Sequence, residues 1–391
     1  MTTPTDQISN SLPSPENNSS PNALLDRLLE RCVGLHASDL HLASGMPPYL
    51  RTGGELKPIP GDAPLSAITV TQIAAELANR SRRGQLPERG SLDGAVSGPE
   101  GIRFRFNAYR RQAEWSIAIR RLEDRFHNLN ELGLRTDLYN LCGLTDGLIV
   151  VAGPTGAGKS TTLAALIDQI NQTRRCHIVT IEDPIEYLHT PQLSLINQRQ
   201  IGTDADGFHE ALVASLRQDP DVILVGEVRD LDTIRTAISA AETGHLVLTT
   251  VHAGDCVGTI ERLVSVFPAD EQPGIRRQLS LVLRAVIAQR LLLGDGSPTG
   301  AKQADGRSRR VPASEILIVN TGIAHLIASG RSAQIYSAME TGGQEGMQTL
   351  DSDLARLWAA DEISELTAMH QARDPSLMPE RHRTLKFGNR R

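Results

Sequence analysis

Residues 148–171 read LIVVAGPTGAGKSTTLAALIDQIN. The five apolar residues Leu148 to Ala152 suit a strand buried on both faces, and they fall far short of the ~20 that a membrane span needs. The octet Gly153-Pro154-Thr155-Gly156-Ala157-Gly158-Lys159-Ser160 fits G-x-x-x-x-G-K-[ST], and Thr161 to Asn171 reads as a helix. Strand, loop and helix in that order are the context in which this motif binds phosphate. Its glycines let backbone N–H groups converge on an anion, and the helix N-terminus adds partial positive charge. Lys159 is placed for the β- and γ-phosphates of ATP, and Ser160 for Mg²⁺, with Thr161 beside them. The chain has only four lysines, at 57, 159, 302 and 386, so a lysine falling at the motif position is informative.

Outward from this loop, His177–Ile181, Val222–Val225 and Leu246–Thr250 are further apolar or β-branched runs separated by helical patterns. Alternation of that kind predicts a doubly wound α/β domain with a parallel sheet. Ligands bind such sheets at the carboxyl ends of the strands. Two acidic groups follow strands there. Glu182-Asp183-Pro184-Ile185-Glu186 comes after the second run, where Pro184 turns the chain; Gly226-Glu227 comes after the third. An apolar strand ending in an acid is what a second metal anchor requires, so Glu227 is a candidate beside Ser160. Glu182 and Glu186 are candidates for orienting the attacking water. For each acid the plain alternative is a solvated loop carboxylate, and the edge shared with the phosphate loop favours the functional reading. His245 and His252 flank the fourth run. They read either as structural histidines or as γ-phosphate sensors; no Cys or His cluster with ligand spacing surrounds them, which speaks against metal ligation.

Upstream, residues 22–127 mix helical and alternating strand patterns and read as a small α+β domain. In Ile102–Tyr109, alternation sets Arg103 and Arg105 on one face and Phe104 and Phe106 on the other. Residues 1–21 are rich in Pro, Ser, Asn and Thr and read as a disordered tail. Asn22 is the expected cap of the first helix. The linker falls at His127–Glu131, the ATPase domain at 128–370, and a basic tail at 371–391. Residues 294–310 form a polar, Gly-rich loop.

Composition bounds the rest. The chain has 391 residues, is 40% apolar and 22% charged, and carries net charge −6. That is an ordinary globular composition, and the acidic balance argues against a dedicated nucleic-acid binder. Four cysteines lie far apart with no C-x-x-C, which fits a reducing compartment and no zinc ribbon. The polar N-terminus lacks a secretory signal, so a cytoplasmic location is expected.

Four ordered segments resemble the bacterial type II/IV secretion ATPase superfamily: GPTGAGKST (153–161), TIEDPIEY (180–187), LRQDPDVILVGEVRD (216–230) and AAETGHLVLTTVHAGD (240–255). They are similar to its Walker A, Asp-box, Walker B and His-box motifs. ASDLHLASGMPPYLRTGGEL (37–56), RFRFNAY (103–109), VFPADEQ (266–272) and QIYSAMETGGQEGMQTLDSDL (334–354) resemble the pilus-retraction branch, the PilT-like ATPases. The resemblance implies a PAS-like N-terminal domain, a RecA-like P-loop ATPase domain and a homo-hexamer. It also implies an inner-membrane platform protein as partner, at the cytoplasmic face. It gives Glu186 the attacking water, Glu227 the Mg²⁺, and His245 and His252 the γ-phosphate. Arg105 and Arg120 match arginines that reach nucleotide from the N-terminal domain. One departure is Ala324 and Ala328, which stand where the branch carries arginines in a segment tied to retraction. The expected function is a pilus-retraction motor; a type II or IV secretion ATPase and a nucleic-acid translocase are the alternatives.

Overall fold

A computed structural model describes residues 20–82, 84–122, 126–294 and 310–377. The tail expected at 1–21 therefore lies almost wholly outside the described residues, as do most of loop 294–310 and all but residues 371–377 of the C-terminal tail. Helix α1 (Pro21–Gly34) starts one residue ahead of the expected cap: Ser20 Oγ, not Asn22, accepts the Ala23 N–H. Leu24, Leu25, Leu28 and Leu29 form its buried stripe.

Strands β1 (Asp39–Ala43), β2 (Tyr49–Thr52) and β3 (Glu55–Pro58) precede helix α2 (Ala67–Arg80). Strands β4 (Ser91–Ser97), β5 (Arg103–Arg111) and β6 (Glu114–Arg121) follow it. They make one antiparallel sheet in the order β3-β2-β1-β6-β5-β4. Phe104, Phe106 and Ala108 enter the core shared with α1 and α2, so Arg103 and Arg105 lie on the opposite face, as alternation requires.

The second unit opens with β7 (Gly147–Ala152) and α3 (Lys159–Thr173), then β8 (His177–Glu182), β9 (Leu195–Gln200), α4 (Phe208–Ser215) and β10 (Val222–Val225). It continues through α5 (Leu231–Glu242), β11 (Leu246–Val251), α6 (Cys256–Ser265), α7 (Gln272–Val282), β12 (Leu283–Leu293) and β13 (Arg310–Ile318). Four α-helices follow: α8 (Thr321–Ala328), α9 (Ala333–Thr341), α10 (Leu350–Ala359) and α11 (Glu365–Gln371).

The strand order is β13-β12-β7-β11-β10-β8-β9, parallel throughout except for β13 on β12. Both faces are covered. Leu148, Val150 and Ala152 of β7 enter one core, with α5, α6 and α7; Ile149 and Val151 enter another, with α3. That two-sided burial is why the strand reads as an unbroken apolar run. The fold is thus an α/β unit with a parallel sheet, preceded by a smaller α+β unit. Every carboxyl end that matters for chemistry, on β7, β8, β10 and β11, opens on the same edge.

Candidate active site

Residues 153–158 form the loop between β7 and α3. Gly153 has φ of +151°, and a Cβ there would collide with the Gln289 carbonyl of β12. Gly158 has φ of +86° and caps α3 in the left-handed region that glycine tolerates. The Lys159 Nζ donates to Gly153 O at 3.0 Å and Pro154 O at 3.1 Å, so the ammonium arches back over the loop. Burial pushes the Lys159 pKa down; the nearby charges of Glu227 and Glu186 oppose that and favour the charged form. Ser160 is exposed at the first turn of α3, and Thr161 beside it receives the Tyr187 hydroxyl at 3.0 Å.

A cleft of about 360 Å³ opens above this loop. Thr155, Gly156, Lys159 and Ser160 form its floor, and Glu182, Glu186, Glu227, His252 and Arg105 line its walls. Sequence spacing alone could not say that these residues meet, because they come from four strand ends of one sheet and a strand of another.

Gly226 makes the turn to Glu227 possible. A Cβ there would lie 3.2 Å from Ile181 O, and the Gly226 carbonyl accepts the Thr250 hydroxyl at 2.6 Å. Glu227 pairs with Arg229 at 2.8 Å and lies 3.9 Å from His252 Nε2. Desolvation and then the Lys159 charge lower the His252 pKa, and Glu227 partly offsets them. Near neutrality His252 is therefore biased towards a neutral imidazole, able to accept or donate one hydrogen bond.

Glu182 and Glu186 differ sharply. The Glu182 carboxylate accepts from Thr180 Oγ1 at 2.6 Å and Gln198 Nε2 at 3.3 Å, and the Glu186 backbone also bonds to it. Burial raises its pKa, and the Glu186 charge adds to the rise. It anchors the acidic loop. Gln198 also donates to Tyr187 O and accepts from His189 N, while Gln200 Oε1 accepts from Ile185 N. These two glutamines on β9 pin the loop that carries Glu186. Because the folded-state pKa of Glu182 lies above its unfolded value, ionising it opposes folding. The cost is absent well below the usual carboxylate range and grows as pH rises through it. Glu182→Gln is therefore expected to raise the melting temperature at pH 8, with the gain vanishing near pH 4. Thermal denaturation at both pH values checks this, and an equal gain at both would contradict it.

Arg105 reaches the cleft from β5. Arg103 on the same face donates to Ile185 O at 3.3 Å, and Phe126 stacks near Tyr187 and His189 with ring centroids 5.5 and 4.6 Å away. These contacts seat the antiparallel sheet on the acidic loop. Burial holds the His189 pKa down to about 4, so it contributes here as a neutral ring.

Two expected residues lie elsewhere in the chain. His245 precedes β11 at the amino end, and its Nδ1 lies 2.9 Å from Ala240 O. Six strand residues, roughly 20 Å at ~3.3 Å each, separate it from the phosphate-loop edge. The pattern of two histidines flanking one strand puts them at opposite edges of the sheet, so of these two His252 alone faces the cleft within the chain. Arg120 is 69% exposed and pairs with Asp39 at 2.8 Å. It shares a face with its cross-strand neighbour Arg105 but sits one strand further from the cleft. Neither reaches the phosphate loop within the chain.

The described residues contain no cluster of three or more His, Cys, Asp or Glu able to hold a metal. A cation that keeps its waters and takes substrate oxygens needs only one or two protein ligands. Ser160 and Glu227 fit that requirement, facing one cleft beside the ammonium of Lys159.

A model of the type II/IV secretion system protein family matches residues 16–356. The chain belongs to the type II/IV secretion system protein family. Relatives in the family include a protein of Pseudomonas aeruginosa named type IV pilus retractation ATPase PilT. It is 42% identical over 341 residues, covering 87% of this chain and 95% of the relative. A twitching motility protein of Neisseria gonorrhoeae is 39% identical over 332 residues, covering 85% and 86%. Among solved structures, the pilus retraction motor PilT with bound ADP superposes with TM-score 0.80 at 39% identity, covering 90% of this chain and 97% of that one. The Legionella pneumophila ATPase DotB gives TM-score 0.75 at 25% identity, covering 92% and 97%. The family match begins ahead of α1 and ends within α10, so it takes in both sheets.

Proposed function

We propose that this chain is a Mg²⁺-dependent ATP hydrolase that works as a homo-hexameric motor for type IV pilus retraction. One observation carries the reading: the phosphate loop, Glu186, Glu227 and Arg105 share a single cleft. Two of the proteins named above support it: the Pseudomonas aeruginosa PilT is named a pilus retractation ATPase and the PilT structure a pilus retraction motor, and each matches most of this chain.

In this reading the loop N–H groups and Lys159 bind the β- and γ-phosphates. Ser160 and Glu227 would hold a Mg²⁺ ion, which would supply positive charge to the phosphate oxygens. Glu186 orients and deprotonates the water, and His252 hydrogen-bonds the γ-phosphate. Arg105, carried by the N-terminal unit, meets developing negative charge as an arginine finger does. The units at 22–127 and 128–370 then act as two bodies whose closure follows nucleotide state, and an inner-membrane platform protein at the cytoplasmic face takes up the motion.

Phosphate release from the purified protein, with and without Mg²⁺, tests the hydrolase, and deletion of the gene tests the motor. Cells should remain piliated and stop twitching; normal twitching would overturn retraction. Arg105→Ala is expected to lower kcat at least about tenfold, while Arg120→Ala loses mainly its Asp39 pair and keeps most turnover. The reverse order of losses would reassign the arginine finger.

A second reading is a secretion ATPase of the same family. Ala324 and Ala328 favour it, because they leave α8 without the cations that the retraction branch places there. Loss of protein export, with pili intact and twitching normal, would support it.

A further inference from the structure

Gln289 lies on β12, buried to 3% exposure, and faces the back of the phosphate loop. Its Nε2 donates to Ala157 O at 2.6 Å, and its Oε1 accepts from Thr162 Oγ1 at 2.8 Å. Thr162 is itself 1% exposed. Its hydroxyl donates to the amide oxygen, and the Ala157 carbonyl, which can only accept, requires the nitrogen on its side, so the amide is held one way round. The Gln289 backbone carbonyl is also the group that excludes a side chain at Gly153. One residue thus touches the start of the loop through its backbone and the end through its side chain.

We infer that Gln289 is the positioning residue that holds the loop open for phosphate before nucleotide arrives. The Ala157–Gly158 peptide is trans, as the described chain's only cis bond is Asp183–Pro184. In a planar trans peptide the C=O and the following N–H point in opposite directions. Pinning Ala157 O back towards β12 therefore turns the Gly158 N–H towards the open side, where Gly156, Lys159 and Ser160 line the cleft. Without that pin the peptide can rotate and present its carbonyl to the phosphate, replacing attraction with repulsion. β12 is not part of the loop motif, which is why the motif alone does not reveal the contact.

This inference rests on the nucleotide reading above. The test measures ADP and inorganic pyrophosphate binding by calorimetry on the full chain. Gln289→Met keeps the volume and removes the donor. Both ligands should bind about tenfold more weakly, by the same factor, since one oriented hydrogen bond to a charged group is lost. Melting temperature separates positioning from mere support. A structural role lowers the nucleotide-free value and leaves the ADP-induced rise unchanged, whereas a positioning role shrinks that rise. Thr162→Val removes the donor that ties down the amide oxygen without touching Gln289, and should give the same phenotype in milder form; Thr162→Ser should restore wild-type binding. If Gln289→Met does not fold, the Thr162 pair decides. Wild-type affinity in Gln289→Met, or in Thr162→Val where only that variant folds, overturns the inference while leaving the nucleotide reading intact. Failure of the unsubstituted protein to bind either ligand overturns both.

Discussion

Lys159→Ala is expected to abolish measurable ATP hydrolysis and to weaken nucleotide binding. The Lys159 ammonium already donates to Gly153 O and Pro154 O across the loop. It has three N–H donors, so one remains for an incoming phosphate without breaking either bond. Two carboxylates, Glu227 and Glu186, face the same cleft and repel a polyphosphate. Lys159 offsets them together with Arg105 and Arg229 on the same cleft, and the two carboxylates in turn favour its charged form against the effect of burial. Alanine removes the tether that shapes the loop and the charge that makes the cleft habitable for an anion. Loss of a single preorganised donor to developing charge costs about 10²–10³ in kcat, and the lost loop geometry adds to it. Phosphate release by the purified variant at saturating ATP is the measurement. Turnover near the wild-type rate would mean that the octet at 153–160 does not bind the transferred phosphate. Lys159→Arg restores the charge but not its shape, because a planar guanidinium cannot occupy the space of a compact ammonium, and it should rescue little.

The parts of this site legible from sequence are the contiguous phosphate loop and the acids Glu182, Glu186 and Glu227, each of which follows an apolar run that marks the carboxyl end of a strand. Strand, octet and helix at 148–171 are continuous, and their local chemistry fixes their geometry. The apolar runs mark β10 at Val222–Val225, and β8 and β11 within one residue at their carboxyl ends, because burial on both faces makes them uninterrupted. Strand β12 escaped that reading. It follows α7 with no turn residue between Val282 and Leu283, and Arg284, Gln289 and Arg290 break its apolar pattern. Gln289 looks like a surface residue in the sequence, yet its two hydrogen bonds run to residues more than 120 positions away. Strand β9 escaped for a related reason. It is an edge strand, LINQRQ, whose glutamines reach in to hold the acidic loop, and polarity disguises them as solvent-facing. His245 shows a different limit of sequence reading. Two histidines at the ends of one strand look like a pair in sequence, and the strand itself keeps them apart.

Glu186→Gln is expected to leave ATP affinity nearly unchanged and to lower kcat by about 10²–10⁴, the range for loss of a positioned general base. The choice between Glu182 and Glu186 turns on what each carboxylate already does. Glu182 is buried and accepts from Thr180, Gln198 and the Glu186 backbone, so its oxygens hold the loop in place. Burial and its neighbour also raise its pKa, which disfavours the ionised form a base requires. Glu186 sits at the outer end of the same loop on the cleft wall, and its charge reaches Lys159. A group that orients water acts mainly in the transition state, so its removal should appear in kcat and not in KM. The substituted amide matches the carboxylate in size and still offers an acceptor oxygen, which keeps the loop folded and isolates the lost charge. Glu182→Gln preserves an acceptor for Thr180 and should cost turnover far less. Steady-state kinetics of the two variants, side by side with ADP binding as a control for folding, decide between them. If Glu182→Gln loses turnover while Glu186→Gln keeps it, the base is the buried carboxylate, and the raised pKa marks a catalytic group, not an anchor.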